Sequence, residues 1–102
     1  MIYNKLVRDR IPELIKAQGE TPHIRILPEE EYLRCLEEKL DEEVGEYHRD
    51  QTPEELVDIL EVVYALASAR GISQSDLQTL YQKKHNARGG FERKLLLISS
   101  EK

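Results

Sequence analysis

Apolar residues recur at helical spacing through most of the chain, and the breaks in that spacing divide it into elements. With each residue advancing about 100°, Leu33, Leu36, Leu40, Val44 and Tyr47 fall on one stripe, which predicts a helix from Pro28 to about Arg49. Asp50, Gln51 and Thr52 then form a turn, with Thr52 as N-cap and Pro53 as the first residue of the next helix. That helix, Pro53 to Ala69, carries Leu56, Val57, Ile59, Leu60, Val62, Val63, Tyr64, Leu66 and Ala67, so it has almost no polar side and is expected to be buried on most of its circumference. Arg70 and Gly71 end it. Ser73 with Asp76 starts a further helix in the manner of a capping box, with Leu77, Leu80 and Tyr81 on its apolar side and Gly89 and Gly90 as its stop. Near the start, residues 2–7 look extended, and Pro12 and Gly19 bracket a short helix carrying Leu14 and Ile15. Two stretches read as strands, His23 to Leu27 and Phe91 to Ile98, which can pair as a small ribbon beside the helices. The expected architecture is a mainly α helical bundle in one domain spanning residues 1–102.

Composition adds a constraint on assembly. The chain has 102 residues, 39% of them apolar and 34% charged, so it is large enough to fold alone but not to bury an extensive core. An all-round apolar helix in so small a chain is most simply covered by a second subunit, and a homo-oligomer of at least two copies is expected. The net charge of −5 argues against non-specific nucleic-acid binding, which depends on Lys and Arg neutralising phosphates. Cys35 is the sole cysteine and has no internal disulfide partner, and its simplest role is core filler. The longest strictly apolar run, Val62 to Ala67, is far too short for a membrane span or a signal segment. A soluble, cytoplasmic protein without a membrane partner is expected.

The polar residues that interrupt the apolar pattern point to chemistry. Glu43 with Glu46, and Glu55 with Asp58, are acidic pairs at i,i+3, neighbours on a helix surface. Glu46 and Glu55 lie equally far from a turn centred near Asp50 and Gln51, and so do Glu43 and Asp58. Folding the two helices back antiparallel therefore sets Glu46 opposite Glu55 and Glu43 opposite Asp58, across helix axes about 8–10 Å apart. Asp58 and Glu61 are poor fits to a helix otherwise built from Leu, Val and Ile, and Glu43 falls inside an apolar stripe. Such carboxylates are costly to bury unless paired or bound to a cation. Glu55 has a competing role as the partner of Thr52 in a T-x-x-E capping box. The residues alone leave two readings standing, a cation site and an internal salt-bridge network to residues such as Lys39. Four carboxylates without His or Cys suit a hard ion, Mg²⁺ or Mn²⁺, rather than Zn²⁺, and Mg²⁺ commonly shares its shell with substrate phosphates.

The run Glu42, Glu43, Val44, Gly45, Glu46, followed by Glu55, Leu56, Val57, Asp58, resembles the EExxE and ExxD motifs of the all-α nucleoside triphosphate pyrophosphohydrolase superfamily, which contains MazG-like enzymes and phosphoribosyl-ATP pyrophosphohydrolases. The opening YNKLVRDRIPELI, the segment EELVDILEVVYALA and the ending KHNARGGFERK resemble a small MazG-like subfamily described as phosphoribosyl-ATP pyrophosphohydrolase-like, so the likeness extends over nearly the whole chain. The segment between the acidic motifs is shorter than in many MazG proteins. The resemblance implies Mg²⁺ ligands at Glu43, Glu46, Glu55 and Asp58, with hydrolysis of a nucleoside triphosphate to a monophosphate and pyrophosphate. Glu42 and Glu61 are the alternative candidates for the group that takes a proton from water. Two other functions are compatible with the same motifs, phosphoribosyl-ATP pyrophosphohydrolase of histidine synthesis and a catalytically silent dimerising, nucleotide-sensing module.

Basic residues at both ends are candidates for phosphate contacts, against the ordinary alternative of solvated surface charge. Lys5, Arg8 and Arg10 lie near the start, and Lys84, Arg88 and Arg93 near the end. The family likeness favours Lys5, Arg8, Lys84 and Arg88 as substrate-binding residues, with Asn4 and Lys39 beside them. Gly89 and Gly90 can bring backbone N–H groups to an anion but are equally explained by helix termination. Phe91 can stack on a base or fill a core, and His23, His48 and His85 have no metal-ligand spacing.

Overall fold

A computed structural model describes residues 3–102. It contains four helices in chain order: α1, Ile11–Ala17; α2, Glu29–Asp50; α3, Pro53–Ala69; and α4, Gln74–Arg88. The mainly α expectation holds. Met1 and Ile2 of the expected extended opening lie outside the described residues, and Tyr3 to Val7 form neither helix nor strand.

Helix α2 begins after Pro28, whose extended backbone (φ −65°, ψ 158°) delivers Glu29, Glu30 and Glu31 to the first turn, while His48 and Arg49 occupy the last. That charge order complements the helix dipole at both ends. The apolar stripe is where the spacing put it, with Leu36 buried and Leu33, Leu40, Val44 and Tyr47 half-buried. The helix stops because Gln51 turns left-handed (φ 53°, ψ 37°), its N–H donating to the Tyr47 carbonyl at 2.7 Å. Thr52 returns to extended geometry and Pro53 opens α3. A two-residue connection makes α2 and α3 antiparallel neighbours, and Arg70 Nη2 closes the far end on Glu37 Oε1 at 3.2 Å.

This hairpin holds most of the packing, with Leu36 facing it from α2 and Val62 and Ala67 buried on α3. Helix α4 packs on α3, and the Gln78 side-chain amide donates to the Tyr64 hydroxyl at 2.9 Å. Its start is as the sequence indicated: Ser73 Oγ accepts the Asp76 N–H at 3.0 Å. Gly71 and Gly89, both with positive φ (81° and 79°), end α3 and α4.

Three expectations change. No strand forms among the described residues. His23 to Leu27 and Phe91 to Ile98 lack a ladder partner, and Ile26 and Phe91 are 94% and 97% exposed; a lone strand leaves its N–H and C=O groups unpaired and has no stability of its own. The proposed ribbon is therefore absent. Thr52 makes no side-chain cap; the Glu55 N–H donates instead to the Thr52 backbone carbonyl at 3.2 Å. Finally, α3 is not buried around most of its circumference within one chain, since Leu56, Val57 and Leu60 are about half exposed. The molecule is correspondingly long, 64 × 32 × 21 Å, with a radius of gyration of 18.2 Å against about 13 Å for a compact chain of this length. Among the described residues no helix is long and apolar enough to cross a membrane.

Candidate metal centre

The hairpin brings carboxylates from both helices to one point. Glu43 of α2 and Glu55 and Asp58 of α3 each offer an oxygen, and the three lie within 4.8 Å of one another. Ligand oxygens on one Mg²⁺, each about 2.0–2.1 Å from the ion, sit about 3–4 Å apart, so a small hard cation would draw this trio together by about 1 Å at its widest. Glu46, one turn beyond Glu43, is half-buried and flanks the trio without being part of it.

Glu43 sits deepest. Only 6% of the residue is exposed, and its Oε2 is buried with no hydrogen-bond partner. Its other oxygen, Oε1, is 3.5 Å from Lys39 Nζ. Burial pushes the Glu43 carboxyl above its ordinary pKa, and a hydrogen bond to Glu46 and the charges of Glu46 and Asp58 push it the same way, with Lys39 opposing. The Glu55 carboxyl is also raised, first by desolvation and then by the charges of Glu46 and Asp50. These are the marks of like charges gathered in one place, and a divalent ion reverses that balance. An all-oxygen donor set with an unpartnered buried oxygen fits such an ion better than it fits a finished salt-bridge network, in which every buried oxygen is satisfied.

Cations form the rim. Arg8 Nη2 is 2.7 Å from Asp58 Oδ1 and Arg8 Nη1 is 3.6 Å from Glu61 Oε1. Lys5 Nζ is 3.0 Å from Glu42 Oε1, and Lys39 Nζ is 3.7 Å from Glu42 Oε2. The hydrogen bond from Lys5 is the main cause holding the Glu42 carboxyl below its ordinary range, and the same bond raises the Lys5 ammonium. A carboxylate so held is a weakened base. Glu61, by contrast, opens into a cleft of about 360 Å³ together with Glu43, Asp58, Arg8 and Lys39.

The other side of that cleft is apolar, formed by Leu6, Val7, Tyr32 and Leu36. This wall did not emerge from the sequence reading, although a signal was present: Tyr32, Leu36, Lys39 and Glu43 follow one another at i, i+4, i+7 and i+11 along one face of α2.

The remaining candidates disperse. Lys84 lines a different groove, between α3 and α4. Arg88 is exposed in the last turn of α4. Neither is brought to the acidic cluster within one chain, because α4 packs only on α3. Asn4 is exposed with a left-handed backbone (φ 46°) and does not line the cleft. Arg10 reaches Glu13 at 3.8 Å, and Arg93 stands exposed beyond α4. Tyr47 and His48 form a tilted ring pair, and His85 stacks on Tyr81 with centroids 5.8 Å apart, so neither histidine joins the carboxylates.

Comparison with known proteins adds sequence kinship without a function. No protein-family model matches the chain. An uncharacterized protein of Mycolicibacterium smegmatis is 58% identical over 48 residues, which is 47% of this chain and 49% of that protein. The match thus spans about half of each. No solved structure matches.

Proposed function

We propose that this chain is a Mg²⁺-dependent nucleotide pyrophosphohydrolase of the MazG-like kind, cleaving a nucleoside triphosphate to the monophosphate and pyrophosphate. The observation that carries the metal part is the meeting of Glu43, Glu55 and Asp58 across the hairpin over an unpartnered buried oxygen. The choice of substrate class rests on the resemblance of the acidic and terminal motifs.

Glu43, Glu55 and Asp58 would hold the ion, with Glu46 beside them; Mn²⁺ suits the same donors. The ion, when bound, supplies charge neutralisation on the phosphates and a more acidic water. Arg8 and Lys39 contribute positive charge at the mouth and orient phosphate oxygens, Arg8 through its fork and Lys39 as a point charge. Lys5 reinforces that field from Glu42. Water attacks the α-phosphorus, the bond to the β-phosphate oxygen breaks, and Glu61 accepts the water's proton. Between the two candidate bases, Glu61 is favoured because it lines the cleft and meets only Arg8, at 3.6 Å, whereas Glu42 is hydrogen-bonded by Lys5 at 3.0 Å with Lys39 beside it. The apolar wall of Tyr32, Val7 and Leu36 gives a base or sugar a surface to lie on.

The chain is proposed to work as a homo-oligomer, in keeping with its length and the open face of α3. A partnerless Cys35 suits a reducing cytoplasm.

A second reading has one observation in its favour. The Arg8–Asp58 and Lys39–Glu43 pairs are what a silent, ion-paired nucleotide-sensing module would use, although they leave Glu43 Oε2 unsatisfied. A panel of canonical and damaged nucleoside triphosphates and phosphoribosyl-ATP, incubated with Mg²⁺ and scored for pyrophosphate against orthophosphate, tests the proposal. Pyrophosphate release that stops on chelation is expected. Turnover of phosphoribosyl-ATP alone moves the chain to histidine synthesis, and nucleotide binding without any turnover leaves the silent module.

A further inference from the structure

The cleft and its carboxylates leave the segment after α4 unexplained. Beyond α4 the chain continues as an apolar arm in which Phe91, Leu95, Leu96, Leu97 and Ile98 are 97%, 73%, 86%, 83% and 89% exposed. Five large apolar side chains in eight residues exceed the scattered exposed hydrophobics of an ordinary surface. The arm leaves the helix at Gly89 (φ 79°) and turns again at Phe91–Lys94, where the Lys94 N–H donates to the Phe91 carbonyl at 3.1 Å.

Helix α4 also leaves something open on its flank. Between α3 and α4 lies a groove of about 450 Å³ lined by Leu60, Val63, Leu77, Leu80 and Tyr81, with Lys84 at its edge. Leu60, Leu80 and Tyr81 are 47%, 56% and 61% exposed, and the apolar surface continues along α3 through Leu56 and Val57. The molecule thus carries an uncovered apolar segment and an uncovered apolar slot.

We propose that the arm Phe91–Ile98 of one copy seats in the α3–α4 groove of a second copy, and reciprocally. This gives a place and a shape to the homo-oligomer proposed above, on which it rests. Three observations select a second copy as the occupant. The arm stands clear of its own helices, which fits a long axis of 64 Å against about 33 Å for the 22 residues of α2. Exchange by two copies covers both surfaces at once, as in other reciprocal element swaps. The area is also sufficient: an extended arm turns alternate side chains to one face, so about three of the five can enter the groove at about 100 Å² each, and with as much again from the groove this gives about 600 Å² per contact and about 1,200 Å² for two, within the range of a specific interface.

The test uses full-length chains in a Cys35→Ser background. One preparation carries Leu80→Cys in the groove and the other Leu96→Cys on the arm; they are mixed and oxidised gently. A disulfide between the two variants can form only between copies, and its appearance as the dominant product is the expected result. In parallel, Leu96→Asp is expected to weaken self-association at least tenfold in sedimentation while leaving the Mg²⁺-induced thermal shift intact, so the arm and the metal centre are read separately. A double variant, Leu80→Cys with Leu96→Cys, closing within a single chain while the mixed pair stays uncoupled would assign the groove to the chain's own arm and overturn the proposal. Self-association untouched by Leu96→Asp would overturn it as well, leaving an oligomer built on some other face. A monomer at all concentrations removes this inference and the homo-oligomer with it, but not the metal centre.

Discussion

The α2–α3 hairpin and the α4 end of the molecule are built from similar residues and reach opposite outcomes. In the hairpin, apolar side chains from two helices meet, Leu36 and Val62 are buried, and the carboxylates carried between them are forced together. At the α4 end, Leu80 and Tyr81 face α3 across an open groove and stay more than half exposed, and the arm beyond them is exposed throughout. The difference lies in how much surface each pair of helices shares. A two-residue turn fixes the register of α2 on α3, so each residue's partner follows from its distance to the turn. A four-residue link and the Gln78–Tyr64 hydrogen bond also hold α4 to α3, but the two helices meet over a short stretch, so the apolar side of α4 gains little burial inside one copy. The same composition therefore gathers carboxylates in one region and leaves apolar surface open in the other.

The sharpest separation of the two regions comes from the carboxylates. Asp58→Asn or Glu43→Gln is expected to lower Mg²⁺-dependent turnover by at least about 100-fold, as loss of a transition-state charge contact does, and to remove the thermal shift on adding Mg²⁺. Far-ultraviolet circular dichroism should be unchanged. Turnover surviving in both purified variants would return the cluster to an ion-pair network.

That pairing is also the part most legible in the sequence. The positions of Glu43 and Asp58 relative to Gln51 set them opposite each other from the helix repeat and a tight turn, although the same spacing also brought Glu46 into the cluster, where it flanks the trio instead. The apolar stripe of α2 and the Ser73 cap were legible for the same reason: both depend on local spacing. What could not be read depends on which segments meet at long range. Phe91 to Ile98 has the residue types of a strand, but strand formation needs an edge to pair with, and no edge is offered. Lys84 and Arg88 carry the right charge for a phosphate site, but α4 takes them to another face. The Arg8–Asp58 contact joins residues 50 positions apart, beyond the reach of any periodicity.

Core truncation is next in size. Leu36→Ala should cost about 2–4 kcal/mol, equally at low and high protein concentration, because Leu36 is buried within one chain. Under the proposed arm exchange, Leu80→Ala should show a cost that grows with concentration, because cover by a second copy is governed by mass action. Urea denaturation at two concentrations a hundredfold apart reads both. A concentration-independent loss for Leu80→Ala would place that side chain in an intramolecular core.

A smaller effect, of opposite sign, belongs to the metal centre. The Glu43 and Glu55 carboxyls hold protons more tightly in the folded chain than in the unfolded one. The folded state thus binds more protons, and the metal-free protein loses stability as pH rises from the ordinary carboxylate range through their raised values. Groups held low, such as Glu42 and Glu31, act in the reverse sense at more acidic pH. Glu43→Gln removes a buried charge that has Lys39 on one oxygen and no partner on the other, and should stabilise the metal-free protein by about 1 kcal/mol at pH 7, flattening this pH dependence. Melting temperatures from pH 5 to 8, with and without Mg²⁺, check the sign. A wild-type stability that rises across that range without metal would contradict it.

The smallest effect compares two helix starts. Ser73 Oγ accepts the Asp76 N–H at the start of α4, so Ser73→Ala should cost about 1 kcal/mol. Thr52 stands at the equivalent place before α3 but makes no side-chain cap, so Thr52→Ala should cost less than about half as much. The pair bears directly on Glu55. In a capping box its carboxylate would reach back to the Thr52 N–H and be tied to helix initiation; here it faces Glu43 and Asp58 instead. Thr52→Ala is therefore expected to leave Mg²⁺ affinity unchanged by calorimetry, while Glu55→Gln weakens it at least tenfold with little loss of stability. If Thr52→Ala proves as costly as Ser73→Ala and Glu55→Gln destabilises the protein without touching Mg²⁺ affinity, Glu55 belongs to the cap and the trio loses a ligand.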